Sequence, residues 1–164
     1  MSIGAENRRG FRRLLPTIGA AAILSLAAPV AFAGDCPSGK VVPDGQGQKP
    51  GAIEPKGVTD NVLASIDLSK EMVALNDHLF RMRRLEIKPG GVVPWHSHAD
   101  RPALIYVIQG VITEYASTCS VPIVHKAGDV SVDAGRSHWW KNTGTKTVVL
   151  LSADILHDQH DKHM

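Results

Sequence analysis

The chain has 164 residues, 43% hydrophobic and 21% charged, enough for one domain with a buried core and too few for two comfortable ones. Its net charge of +2 comes from the first residues: positions 34–164 carry 14 basic and 15 acidic side chains, a net of −1. That balance favours neither nucleic acid nor an anionic membrane as a partner.

Residues 1–33 read as an export signal rather than as part of the domain. Arg8, Arg9, Arg12 and Arg13 make a basic start, Ile18 to Val30 an apolar run, and Ala31-Phe32-Ala33 a small-residue cleavage site, so the mature chain is expected to begin at Gly34. The apolar run is short and Pro-interrupted for a membrane span, which leaves no stable membrane anchor after cleavage and a periplasmic or secreted protein. Asn7-Arg8-Arg9-Gly10-Phe11 resembles the twin-arginine signal, with Arg12 where that signal more often has an apolar residue; Sec export is the alternative. Twin-arginine export would allow a metal to be inserted before the protein leaves the cytosol.

Residues 34–60 are rich in Gly and Pro without periodicity, as in an extended arm. Cys36 in this arm and Cys119 further on are the two cysteines, and an oxidising compartment favours a disulfide between them; two free thiols are the alternative. Residues 61–77, with Val62, Leu63, Ile66 and Leu68, fit a short helix or a strand. From Leu79 onward short β-type runs alternate with turn signals: 79–88 before Pro89-Gly90-Gly91, 104–109 before Gly110, then 111–115, 123–126, 130–133 and 147–152. This spacing predicts an all-β domain over 61–164, and no internal repeat is visible.

His96 and His98 are two apart in an extended segment, so their imidazoles point to one face, and His138 follows on a later segment. Three imidazoles meeting in a barrel would suit a divalent metal and leave coordination positions open. With its surroundings this pattern resembles the cupin superfamily. The first cupin motif is matched by Gly90, His96-Ser97-His98 and Gly110, and the second by Gly128, Gly135, His138 and Asn142 (motifs 90–110 and 128–142). The resemblance implies a double-stranded β-helix, or jelly-roll, barrel behind a Gly/Pro-rich arm, with a metal on His96, His98 and His138 and a homodimer as a common extension. Fe, Mn, Zn, Cu and Ni all suit such donors.

Two departures stand out. Ala103 occupies the position where the family usually has a ligating glutamate, and the second motif is one residue short and lacks its proline. Three outcomes stay open: a three-histidine site, recruitment of Asp100 or Glu114 as an extra ligand, or loss of the metal. Trp140 shares parity with His138 and would wall the pocket, while Trp95 and Trp139 face the other way. Arg81 and Arg83 share the parity of Leu85 and Ile87, and Arg83 and Tyr106 are candidate substrate contacts. His157, His160 and His163 recur every third residue near the C-terminus, the pattern of a metal-scavenging tail.

The functional expectation is an exported, metal-dependent small-molecule oxidoreductase of dioxygenase type. The alternative is a non-catalytic cupin that stores or delivers metal or captures a small ligand.

Overall fold

A computed structural model describes residues 34–157; the expected signal segment and the histidines at 160 and 163 lie outside the described residues. Eight strands follow in order: β1 (Lys56–Asp67), β2 (His78–Ser97), β3 (Ala103–Gln109), β4 (Val111–Ala116), β5 (Ile123–Lys126), β6 (Val130–Asp133), β7 (Ser137–Lys141) and β8 (Val148–His157). A 3-10 turn, Leu68–Lys70, follows β1. All strand pairings are antiparallel in the order β5-β4-β7-β2-β8-β3-β6, with β1 added on β2. The result is a nearly closed all-β jelly-roll barrel, the all-β class expected from the strand spacing and the barrel implied by the motif resemblance. Among the described residues no helix is long and apolar enough to cross a membrane.

β2 belongs to both halves of the barrel. Its first half pairs with β1 and β8, and its second half, from Val92, pairs with β7. The change of partner falls at Pro89-Gly90-Gly91, which the sequence presents as a strand end. Gly90 takes φ +71, and a Cβ on Gly91 would stand 2.7 Å from the Lys88 carbonyl oxygen, so the corner is too tight for a side chain. Asn142 holds it: the backbone exchanges Gly90 N–H to Asn142 O and Asn142 N–H to Gly91 O, both 2.9 Å, and the buried Asn142 Nδ2 donates to Ile87 O and Lys146 O, both 2.8 Å.

The core is one cluster of Leu85, Ile87, Val93, Ile105, Val107, Ile112, Trp140, Val148 and Leu150. Alternation along β3 sends Ala103, Ile105 and Val107 inward and Leu104, Tyr106 and Ile108 outward. β6 reverses the usual pattern, burying Ser131 and Asp133 and exposing Val130 and Val132. With Phe80 and Met82 these residues leave an apolar outer face on the barrel.

The Gly/Pro-rich segment packs against the barrel. Positions 56–60, read as the end of the arm, are already β1, and residues 61–67 continue the strand. Upstream, Cys36 is bonded to Cys119, with Cα atoms 5.8 Å apart, and the pair packs with Ala116 and Ile123 in a second apolar cluster. Val42 N–H donates to Thr118 O (2.9 Å) and Gly47 N–H to Ser117 O (2.7 Å). Trp139 faces away from the barrel interior, stacks on Tyr115 with centroids 4.0 Å apart, and donates its indole N–H to Lys49 O (3.1 Å).

Candidate metal centre

His96 on β2 and His138 on β7 are direct cross-strand partners, and His98 lies two residues beyond His96 on the same face. The backbone secures this arrangement: His98 N–H donates to Arg136 O (2.7 Å) and Gly135 N–H to His98 O (2.9 Å). The shortened, proline-free loop of the second motif therefore still anchors the first. All three side chains are buried, and their Nε2 atoms converge, with His96 Nε2 2.9 Å from His98 Nε2 and 3.1 Å from His138 Nε2.

The opposite ring nitrogens decide what these atoms can do. His96 Nδ1 is 2.8 Å from Pro94 O, His98 Nδ1 2.6 Å from Arg101 O, and His138 Nδ1 2.7 Å from Glu114 Oε1. Each partner is an acceptor, so each Nδ1 carries the proton and each Nε2 presents a lone pair. The His96 lone pair faces those of His98 and His138 at about 3 Å with no hydrogen between them, an arrangement that repels unless a cation sits among them. Donors about 2.1 Å from an ion and at right angles would be about 3.0 Å apart, so the set fits a divalent transition metal. Burial, then the repulsion that a proton on His96 would meet if the neighbouring His138 were also protonated, pushes the His96 imidazole down to about 2. The same causes push His98 down to about 4. Both stay neutral at neutral pH, as ligation requires.

Glu114, from β4, approaches His138 from behind and is not aimed at the space between the Nε2 atoms. Its Oε1 accepts from His138 and meets Arg136 Nη2 at 3.1 Å, while Oε2 accepts from the buried His125 Nε2 at 2.8 Å. Burial alone would raise its carboxyl, but the hydrogen bonds from His125 and His138 and the Arg136 charge outweigh that and hold it well below the usual carboxylate range. Glu114 is thus placed to orient and polarise a ligating imidazole, not to be the extra ligand considered from the sequence. Asp100, the other candidate, is exposed in the loop after β2 and belongs to no metal-capable cluster among the described residues. Ala103 is buried and lies in register with both Asp133 and Asp154. Sequence reading overlooked these two aspartates: Asp133 is 3.5 Å from His138 Nδ1 and bonded to Ser131 and Arg136, and Asp154 is paired with Arg81 (2.7 Å) and Arg83 (3.3 Å). Their only signal was inward parity on strands whose opposite face is apolar.

A small cavity adjoins the histidines, with about 20 Å³ open to the centres of water-sized molecules. Leu85, Val93, Ile105, Trp140 and Leu150 wall it, and Arg83 and Ser152 are its other polar members beside His96 and His98. Trp140 is placed as parity predicts: it is buried, and its indole nitrogen lies 3.2 Å and 3.4 Å from the two nitrogens of the His138 ring, the planes 79° apart. Arg83 reaches the cavity, ion-paired to Asp60 and Asp154, with its Nε left without a hydrogen-bond partner. Tyr106 does not reach it. It is 44% exposed on the outer face of β3, because its parity is opposite to that of Ile105 and Val107.

The comparisons agree with this geometry. Residues 83–154, which contain all three histidines, match the Cupin_2 family, described as a cupin domain. The barrel has the cupin fold. Curated relatives of the chain include germin-like protein 5-1 of Oryza sativa subsp. japonica, 30% identical over 104 residues, covering 59% of this chain and 47% of the relative. Nectarin-1 of Nicotiana langsdorffii x Nicotiana sanderae is 28% identical over 109 residues, 62% of this chain and 48% of that one. The chain thus spans about half the length of these curated relatives. Among solved structures, a predicted oxalate decarboxylase from Thermotoga maritima is 26% identical with a TM-score of 0.51, covering 74% of this chain and 98% of that chain.

Proposed function

We propose that this cupin is an exported metalloprotein that holds one divalent transition metal on His96, His98 and His138 and acts as a small-molecule oxidoreductase of dioxygenase type. The observation that carries the reading is the convergence of three Nε2 lone pairs whose Nδ1 protons are all committed elsewhere. A bound metal would supply Lewis acidity, and with three neutral ligands it keeps its full charge of about +2 to attract an anion. The protein contributes the rest: Arg83, with its unpartnered Nε, offers a cationic contact in the cavity, and Leu85, Ile105 and Trp140 exclude bulk water. The tight cavity favours a substrate of a few heavy atoms, and the name of the Thermotoga maritima relative points to a small carboxylate such as oxalate. The Cys36–Cys119 bond supports export to an oxidising compartment, and the apolar outer face supports a homodimer.

A non-catalytic role in metal storage or delivery is the second reading, favoured by Glu114 and Asp154, whose oxygens are already committed to histidines or arginines and so supply no free base. Metal analysis of the purified protein should find one tightly held equivalent that His96→Ala loses; its retention by that variant would exclude the site. Oxygen uptake over many turnovers with small carboxylates, thiols, phenols or dicarbonyls would rule out storage, and its absence with every class would rule out the oxidoreductase.

A further inference from the structure

We propose a second metal site at the far end of β2, a two-histidine clasp of His78 and His157 that takes a borderline divalent ion such as Zn(II), Ni(II) or Cu(II). His78 opens β2 and His157 closes β8, and the two are partners on the last rung of that antiparallel ladder. Residues directly opposite on such a rung project from the same side of the sheet with Cβ atoms about 5 Å apart. Their imidazole centroids are 4.6 Å apart with the planes tilted by 34°.

The hydrogen bonding of His78 makes it a ligand and not only a packing residue. Its Nδ1 is 2.6 Å from Asn76 O, which commits the ring proton and leaves Nε2 as a lone pair. His96 in the first site is held in the same way, by the carbonyl two residues before it. The chain reaches this position through a turn with Asp77 at φ +59, which brings the Asn76 carbonyl under the ring.

The surroundings suit an exchangeable ion. His157 is exposed and His78 half-buried, so a hydrated cation can enter and keep water on its remaining positions, unlike the enclosed first site. Two imidazole donors at the end of a sheet select for the later first-row metals by donor type. The two sites are separate in sequence as well, His96 lying eighteen residues beyond His78 along β2.

Equilibrium dialysis of the purified protein against Zn(II), with Ni(II) as a second probe, tests this. The unaltered protein should take up two equivalents at saturation, one tight and one exchangeable. His78→Ala and His157→Ala should each lose the exchangeable equivalent and keep the tight one with an unchanged melting temperature, while His96→Ala should do the reverse, so the two sites fail independently. Saturation at one equivalent in the unaltered protein would overturn the proposal. So would an exchangeable equivalent that survives the double His78→Ala, His157→Ala substitution but disappears with His160→Ala, His163→Ala, since that ion would belong to the tail.

Discussion

At the scale of single residues, a histidine's chemistry depends on what its other nitrogen touches. The alternation of a strand was enough to place His96 and His98 on one face, but the acceptors that keep the proton on all three Nδ1 atoms come from Pro94, Arg101 and Glu114. Glu114→Gln should leave a folded barrel and lower metal affinity by about 10–100-fold, because a neutral amide cannot match the carboxylate behind His138. Competition with a calibrated chelator measures this, and unchanged affinity would deny Glu114 its orienting role. The pH dependence follows from the same burial. In the unfolded chain His96 and His98 bind protons near pH 6.5, whereas in the folded, metal-free protein they are pushed down to about 2 and about 4. Below pH 6.5 the unfolded state binds more protons, so stability falls as pH falls, by up to about 1.4 kcal/mol per pH unit for each group. Urea midpoints of metal-free protein should therefore drop between pH 7 and pH 5; a midpoint that stays level or rises contradicts the assignment.

At the scale of elements, Pro89-Gly90-Gly91 looks in the sequence like the turn that ends a strand, yet β2 runs through it from His78 to Ser97 and changes partners. Turn residues mark a change of direction and do not distinguish a reversal from a corner between sheets. The corner depends on Asn142, a motif residue distant in sequence that satisfies Ile87 O and Lys146 O. Asn142→Ala removes the side-chain donor to the buried Ile87 O and to Lys146 O and should destabilise the fold by about 1–3 kcal/mol. Denaturant unfolding reads the loss, and a cost below about 0.5 kcal/mol would mean that the corner holds without it. Strand β6 shows the opposite limit of pattern reading: Val130 and Val132 suggest an inward apolar face, but Ser131 and Asp133 are the buried pair. The interior there is polar because Asp133 bonds Arg136 and stands behind His138, a demand of the site that overrides hydrophobic parity.

At the scale of the whole molecule, the Gly/Pro-rich arm closes over the barrel and is fastened by a disulfide across 83 residues of chain. Linking such distant points restricts the unfolded ensemble, and removing a native disulfide from a small secreted domain costs about 2–5 kcal/mol. Cys36→Ser with Cys119→Ser should lower stability by that amount while the metal site, built on other strands, keeps its ion. Denaturant midpoints and metal content measured together check both parts, and loss of the metal would show that the arm supports the site.

The all-β class, most of the strands from residue 79 onward and the three candidate histidines are legible in the sequence, because strand alternation and motif spacing are local properties, whereas β7 and the continuation of β2 through Pro89-Gly90-Gly91 are not. Only the tertiary structure decided that Ala103 is flanked by Asp133 and Asp154, that Glu114 stands behind His138, that Arg83 enters the cavity and that Tyr106 does not. Those placements depend on register between strands far apart in the chain, and in a sheet a shift of one residue moves every side chain to the other face.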